Sequence, residues 1–431
     1  MVHRLMPYDY VVLGAGIVGL ATAYHLKRLN PRASVLLVDK GHGPGAGDTG
    51  KSAAAFRAFF TSRINMSLAK TSIEFYRSVQ EEGFDLGMRF VGYLFLLDKK
   101  LKRAARKGLE EAKRLGLGYE VLDPGTLEER LGIRTRVEEL EEAELIGAGD
   151  VEEGILVREA GIIAAEKLVE YYYTRITSMG VETSFNTLVT GFEIKPRRPL
   201  GVEGEPFPWQ DSRISGVETS RGMIHARRKV IASLGAWSSK VLNPVGVDSY
   251  TRPKKRQVFS VRAEGSLAKT LHARGLNKYN LSPMLIFPRK AFARPEPGEG
   301  AFWVGISDHL GRPFTLDEDP APEEQFYNLG VLPVLSLYHP GFEGAVPHSS
   351  WAGNYDISFD GAPIIYEPYG SDLIVSAGTS GSGIMKADAI GRITASLALG
   401  LEEAELYGGE SIRVERLGLE RRMIEPEELV I

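Results

Sequence analysis

A strand that passes through a glycine turn into a helix and a second strand, a buried strand that meets another glycine turn far down the chain, and a turn-broken β-rich middle predict a mixed α/β protein, α+β overall. In this reading a Rossmann-like unit, assembled from separated pieces of chain, stands beside a second region built on a large antiparallel or mixed sheet.

The elements follow in order. Tyr8 to Leu13 is a short apolar run of β-formers. Gly14, Gly16 and Gly19 make G-x-G-x-x-G, and Ile17 to Leu29 reads as a helix stopped by Asn30-Pro31. "ASVLLVD" is a second buried strand ending at Asp39. Helical patterning covers Ile64 to Gln80, "RFVGYLFLLD" reads as a strand, and Lys99 to Leu115 as a charged helix. The acidic stretch Glu128 to Glu144 reads as solvated surface, and "EAGIIAAEKLVEYYYTRITSMG" as a helix closed by a glycine. Short strands with a Pro/Gly-rich hairpin fill Val181 to Arg228, and "KVIASLGAW" is another buried strand. Pro253 to Ile306 is β-rich, Gln325 to Leu337 is helical, and "DLIVSAG" leads through a glycine turn into the helix "IMKADAIGRITASLAL". The charged tail ending in Leu429-Val430-Ile431 is expected to be an independent surface helix, with a cover over a pocket as the lesser alternative.

The 431 residues carry a formal charge of −4, which gives no positive field to draw nucleic acid. The absence of cysteine excludes disulfides, thiolate metal sites, cysteine nucleophiles and cysteinyl cofactor links. No metal site is read. Arg4 and the apolar run Tyr10 to Leu26 imitate a signal peptide, but the run is short for a bilayer and its glycines have a better explanation. The expected location is cytoplasmic, with peripheral attachment to the inner face of the membrane as an extension.

Two glycine loops compete for the phosphates of a nucleotide. In the first, Gly14 permits a tight turn, Gly16 lets a pyrophosphate approach the backbone, and Gly19 lets the helix pack on the strand. Ala15 and Ile17 complete the turn, and the helix N-terminus offers free N–H groups to an anion. Asp39 stands at the distance of a ribose-diol acceptor, with Lys40 beside it. The second, Gly45 through Gly50-Lys51-Ser52, fits the P-loop pattern letter for letter. Five residues separate it from the preceding strand, and no convincing acidic strand exists for Mg²⁺. An ATPase is therefore the outsider. The better expectation is a loop, including Thr49 and Ala53, that covers the far end of a cofactor.

The chain resembles the FAD-dependent amine and amino-acid oxidoreductases, the family of glycine oxidase, sarcosine oxidases and dye-linked L-proline dehydrogenase. "DYVVLGAGIVGLATAYHL" with Asp39, "TGKSAAAFR", "VGYLFLL", "VIASLGAWS", "PKKRQ", "WAGNYDISFDGAPII" and "SAGTSGSGIMKADAIGRI" carry the resemblance. It implies an FAD domain from 1–85, 150–240 and 350–431, and a substrate domain from 86–149 and 241–349. It places the cofactor near Val189, Gly235, Trp237 and Gly353, and near Gly381, Gly383, Ile384, Met385 and Lys386 at the start of the last helix. Amides there would stabilise charge arriving on the ring.

The same resemblance assigns Arg57 and Lys386 as a clamp on a substrate carboxylate, with Tyr355 as a pocket wall. His25, His42, His225, His272, His309, His339 and His348 receive no role as a base. Gly353 stands where the family's covalent members have a cysteine, so FAD is expected to be non-covalent. Trp303 is matched to a lysine of the oxidases, which favours a dehydrogenase with a quinone, dye or protein acceptor. The expected substrate is a small amino acid with a secondary amine, best L-proline; an oxygen-using oxidase of sarcosine, glycine or D-amino acids is the alternative. A homodimer or a subunit of a larger complex is expected.

Overall fold

A computed structural model describes residues 7–114, 116–308 and 310–427. The first strand, Tyr8–Leu13, lies at the middle of an eight-stranded sheet because its residues are apolar on both faces. It pairs in parallel with Val35–Val38 (Tyr10 opposite Val35, Leu13 opposite Val38) and with Gly222–Ala232 (Val11 opposite Val230). Glu182–Ser184 and Leu373–Ala377 extend the parallel run outward, and Ile364–Tyr366 closes one edge antiparallel. This is a Rossmann-like sheet drawn from the two ends and the middle of the chain.

The first helix, Ile17–Leu29, packs against the last, Gly383–Ala398. Their contact is close enough that a Cβ at Gly391 would sit 2.7 Å from the carbonyl carbon of Ala21.

The second eight-stranded sheet runs Pro347–Ser358, Thr251–Arg262, Ala301–Ile306, Ala291–Glu296, Met284–Ile286, Tyr93–Leu97, Glu153–Val157, Tyr119–Leu122. It is mixed: only Met284–Ile286 and Tyr93–Leu97 pair in parallel. The two longest strands set Arg256 opposite Gly353 and Lys254 opposite Tyr355.

Three local expectations change. The stretch Glu128 to Glu144 is not surface alone, because Leu131, Ile133, Val137 and Ala143 are buried in the core of the second sheet. The helix expected from Glu159 starts only at Ala165, since Ala160–Ile162 is a strand paired with Ala55–Arg57. The tail forms no surface helix among the described residues. A hairpin (Glu403–Glu405 with Ser411–Arg413) and a turn (Val414–Leu417) give way to irregular chain as far as Glu427. At its end, Pro426 has no N–H and steers Glu425 away from helical angles. Leu429, Val430, Ile431 and His309 lie outside the described residues. No described helix is long and apolar enough to cross a membrane.

Candidate active site

The strand–turn–helix at the N-terminus is built so that only glycine fits. Gly14 has φ +100°, and a Cβ there would lie 2.2 Å from the Ser233 carbonyl oxygen. A Cβ at Gly19 would lie 1.9 Å from the Gly14 oxygen, which is the helix-on-strand contact assigned to it. Asp39 accepts hydrogen bonds from the N–H groups of Ala15 and Gly41, both at 2.6 Å, so the acidic residue fixes the turn. The Ile17 N–H donates to Thr49 Oγ1 at 3.1 Å, which ties the second glycine loop to the first.

That second loop is no P-loop. It turns on itself through Gly50 N–H to Gly45 O at 3.0 Å, then enters the strand Ala55–Arg57 where a P-loop would enter a helix. It docks on the second sheet: Asn354 N–H donates to Asp48 at 2.8 Å, and Trp351 Nε1 donates to the Lys51 carbonyl at 2.9 Å. A Cβ at Gly353 would stand 3.2 Å from Lys51 Cβ, so the glycine admits the loop.

Between the two sheets runs one long cavity. It is lined by Gly14, Gly16, Ile17, Asp39, Lys40, Thr187 and Val189, by Thr49, Lys51, Ser52, Ala53, Gly235 and Trp237, and by Gly353, Tyr355, Gly381, Gly383 and Ile384. Ala15, Gly19, Gly50 and Met385 stand off the wall and serve the turns and packing behind it. Ser233 Oγ and Asn354 Oδ1 belong to wall residues and are buried without a hydrogen-bond partner. A glycine cradle, a helix N-terminus and orphaned polar atoms fit a dinucleotide.

The wall also holds groups to which the sequence reading gave no role. Asp356 is fully buried, and burial pushes its carboxyl upward despite donors from Gly378 N–H (2.8 Å), Thr379 N–H (3.1 Å) and Thr379 Oγ1 (2.6 Å). It holds the last glycine turn in shape. Burial likewise raises Asp48. Arg256 reaches the wall beside Tyr355, 5.4 Å from its ring centre, and is paired with Asp308. Its motif "PKKRQ" was visible; its direction depends on strand register, which a single sequence does not reveal.

Trp303 does not line the cavity. Its Nε1 donates to Glu299 at 3.2 Å and its ring stands edge-on to Trp351; Ile306 is the wall residue of that strand.

Arg57 and Lys386 also stand off the wall. Ile384 faces the cavity, and two residues later the helix has turned by about 200°, which points Lys386 away. Its Nζ donates to Asn65 Oδ1 at 2.8 Å and lies 4.3 Å from the Phe60 ring centre; the Arg57 guanidinium lies 4.1 Å from the same centre. Facing this pair is Glu427 of the tail. Its carboxylate accepts from Thr61 N–H (2.9 Å), Thr61 Oγ1 (2.9 Å), Ser62 N–H (3.0 Å) and Asn65 Nδ2 (3.4 Å). Burial alone would raise Glu427, but Arg57, these donors and Lys386 hold it below the usual range. Burial lowers Lys386 to about 7.

Residues 9–397 match the family described as DAO, FAD dependent oxidoreductase. The chain belongs to this family.

Among curated relatives of this FAD dependent oxidoreductase, FAD-dependent oxidoreductase domain-containing protein 1 of Xenopus laevis is 25% identical over 90% of the chain and 78% of its own length. Sarcosine oxidase subunit beta of Rhizobium meliloti (strain 1021) is 24% identical over 89% of the chain and 82% of its own. Among solved structures, L-proline dehydrogenase from P. horikoshii aligns with a TM-score of 0.74 and 22% identity, covering 96% of each chain, a likeness of fold. The FAD-dependent oxidoreductase chemistry and the glycine cradle thus agree.

Proposed function

We propose that this enzyme oxidises a small amino acid carrying a secondary amine, with L-proline the leading substrate and a quinone, dye or protein as electron acceptor. The observation that carries the reading is the cavity wall on which the Arg256 guanidinium stands 5.4 Å from the Tyr355 ring centre, with the Gly381–Gly383 turn also on that wall. Buried cations persist where an anion meets them, and an amino-acid carboxylate is such an anion. The names of the Rhizobium meliloti and P. horikoshii proteins, a sarcosine oxidase subunit and an L-proline dehydrogenase, support the same substrate class.

Gly14, Gly16, Asp39, Val189, Trp237 and the Gly381–Gly383 turn would hold FAD without a cysteinyl link, and the bound group would supply hydride acceptance from Cα–H or Cδ–H, which leaves the substrate as an imine. Tyr355, Phe292 and Ile306 on the wall would exclude water, and the amides at the start of the last helix would stabilise charge arriving on the bound group. The apolar Ile306 on the wall supports a dehydrogenase, because no lysine of that strand faces the cavity. Arg256 on the same wall supports the second reading, an oxidase of sarcosine, glycine or D-amino acids, since a fixed cation favours reduction of oxygen to an anion.

The test is bleaching of the flavin band under argon with L-proline, sarcosine, glycine and D-amino acids, followed by peroxide assay in air. L-Proline should bleach fastest with little peroxide. Rapid peroxide release would favour the oxidase, and no bleaching by any amino acid would end both readings.

A further inference from the structure

The donors of the Arg256 guanidinium are unevenly used. Nη1 is taken by the Asp308 carboxylate, with the Lys255 carbonyl at 3.4 Å. Nη2 makes two long contacts, to Ser307 Oγ and to the Asp308 carbonyl, both at 3.4 Å. Nε is buried and has no hydrogen-bond partner. Nε and Nη2 share one edge of the planar fork, and that edge is one a carboxylate takes with two parallel bonds. Arg256 is also the only arginine among the described residues that lines the cavity.

Asp308 fixes the other side of the fork. It meets Arg256 with one oxygen and Arg312 Nε, at 3.3 Å, with the other. Glu323 clamps Arg312 at 2.9 and 2.6 Å, and the Glu323 N–H donates at 2.6 Å to the side chain of Gln257, the neighbour of Arg256 on its strand. The contacts thus run from the strand Thr251–Arg262 out to Asp308 and return to the same strand. Gly353, directly opposite Arg256 in the strand pair, brings no side chain of its own. Asp308 does not exhaust the positive charge here. Burial lowers Lys290 and Lys254, and both also feel the charge of Arg256.

We propose that Arg256 receives the carboxylate of the substrate and that Asp308 is the positioning residue that aims the guanidinium. Recognition of the amino acid then comes from the strand Thr251–Arg262, on the cavity wall, and not from Arg57 and Lys386 behind it. This rests on the amino-acid reading above.

The test uses the flavin-loaded protein under argon. Each amino acid that bleaches the parent is paired with its own amide (L-prolinamide, sarcosinamide or glycinamide), which keeps the shape and loses the negative charge. The amide is followed by bleaching or by its shift of the flavin band. Arg256→Met should slow bleaching by dilute acid roughly 30-fold or more and change the response to the amide by less than about threefold. Arg256→Lys keeps a charge without the fork, so its loss with the acid should be smaller, and it guards against a misfolded first variant. Asp308→Asn should raise the half-saturating concentration of the acid about tenfold, with the limiting rate and the amide response nearly unchanged. Equal losses with acid and amide, loss of the flavin from both arginine variants, or no loss with either ligand would overturn the role of Arg256 and leave the amino-acid reading standing. Unchanged half-saturation in Asp308→Asn would overturn the positioning role. A parent that no amino acid bleaches would end the amino-acid reading and this subsite together.

Discussion

The ring of Tyr355 fills the space that a side chain at Gly381 would need: a Cβ there would lie 2.1 Å from Cε2. Gly381 has φ +81° and belongs to the turn that opens the last helix, whereas Tyr355 comes from Pro347–Ser358, one of the two longest strands of the other sheet. The contact therefore couples the two sheets at one end of the cavity.

Gly381→Ala should push Tyr355 off its position and strain the turn. A displacement of about 1 Å at a positioning residue costs on the order of 10²-fold in turnover. Steady-state kinetics on folded, flavin-containing protein would show it, with Tyr355→Phe close to the parent because the ring is kept.

Asp39 should govern cofactor retention. It accepts the Ala15 N–H of the turn and the Gly41 N–H of its own loop, and each charge-assisted bond is worth about 1.5–3 kcal/mol. Asp39→Ala should raise the FAD dissociation constant by about 10- to 100-fold, measured by quenching of flavin fluorescence. An unchanged constant would remove Asp39 from the cradle.

Lys51→Ala separates the two meanings of the glycine loop. Because Lys51 lines the cavity as one cation among several, its loss should weaken FAD only several-fold. The parent should hydrolyse no ATP above background, and the variant should stay yellow. ATP turnover abolished by the substitution would reverse the assignment.

Lys386→Met should cost stability and not substrate recognition, because Lys386 points away from the cavity and its Nζ donates to Asn65. Loss of a buried hydrogen bond to a charged group costs about 1.5–3 kcal/mol, read as a lower melting temperature with KM and the flavin spectrum nearly unchanged. A strongly raised KM would put Lys386 in carboxylate recognition.

A pH effect on stability should arise between the first and last helices. His25 Nε2 lies 2.7 Å from Asp388, which also accepts from Tyr172 and Arg392. Burial lowers His25 despite the pull of Asp388. Burial would raise Asp388, but His25 and Arg392 outweigh it and hold the carboxyl low. Below the ordinary histidine value of 6.5 the unfolded chain binds a proton that the folded chain resists, so stability falls as pH drops from there; Asp388 adds to the loss below 3.8. Thermal melts should decline by at most about 1.4 kcal/mol per pH unit for each such histidine. Burial also lowers His339, so His25→Gln should reduce the slope without abolishing it.

The sequence by itself determined the strand–turn–helix at Gly14, the acidic Asp39 at the end of the second strand, the last glycine turn and helix, and the family. Those features are local: steric demands on φ and close backbone approach allow only glycine, and buried parallel strands must be apolar throughout. Tertiary structure alone decided which side chains face the cavity. Lys386 points away because two helical steps turn it from Ile384, Trp303 is turned outward by its place in the sheet, and Arg256 reaches the wall through a strand pairing. Glu427 meets Arg57 from more than three hundred residues away, and nothing in a charged tail marks which carboxylate will be buried. Contacts of that kind depend on how distant elements pack, and a linear pattern carries periodicity but not the angle at which two elements meet.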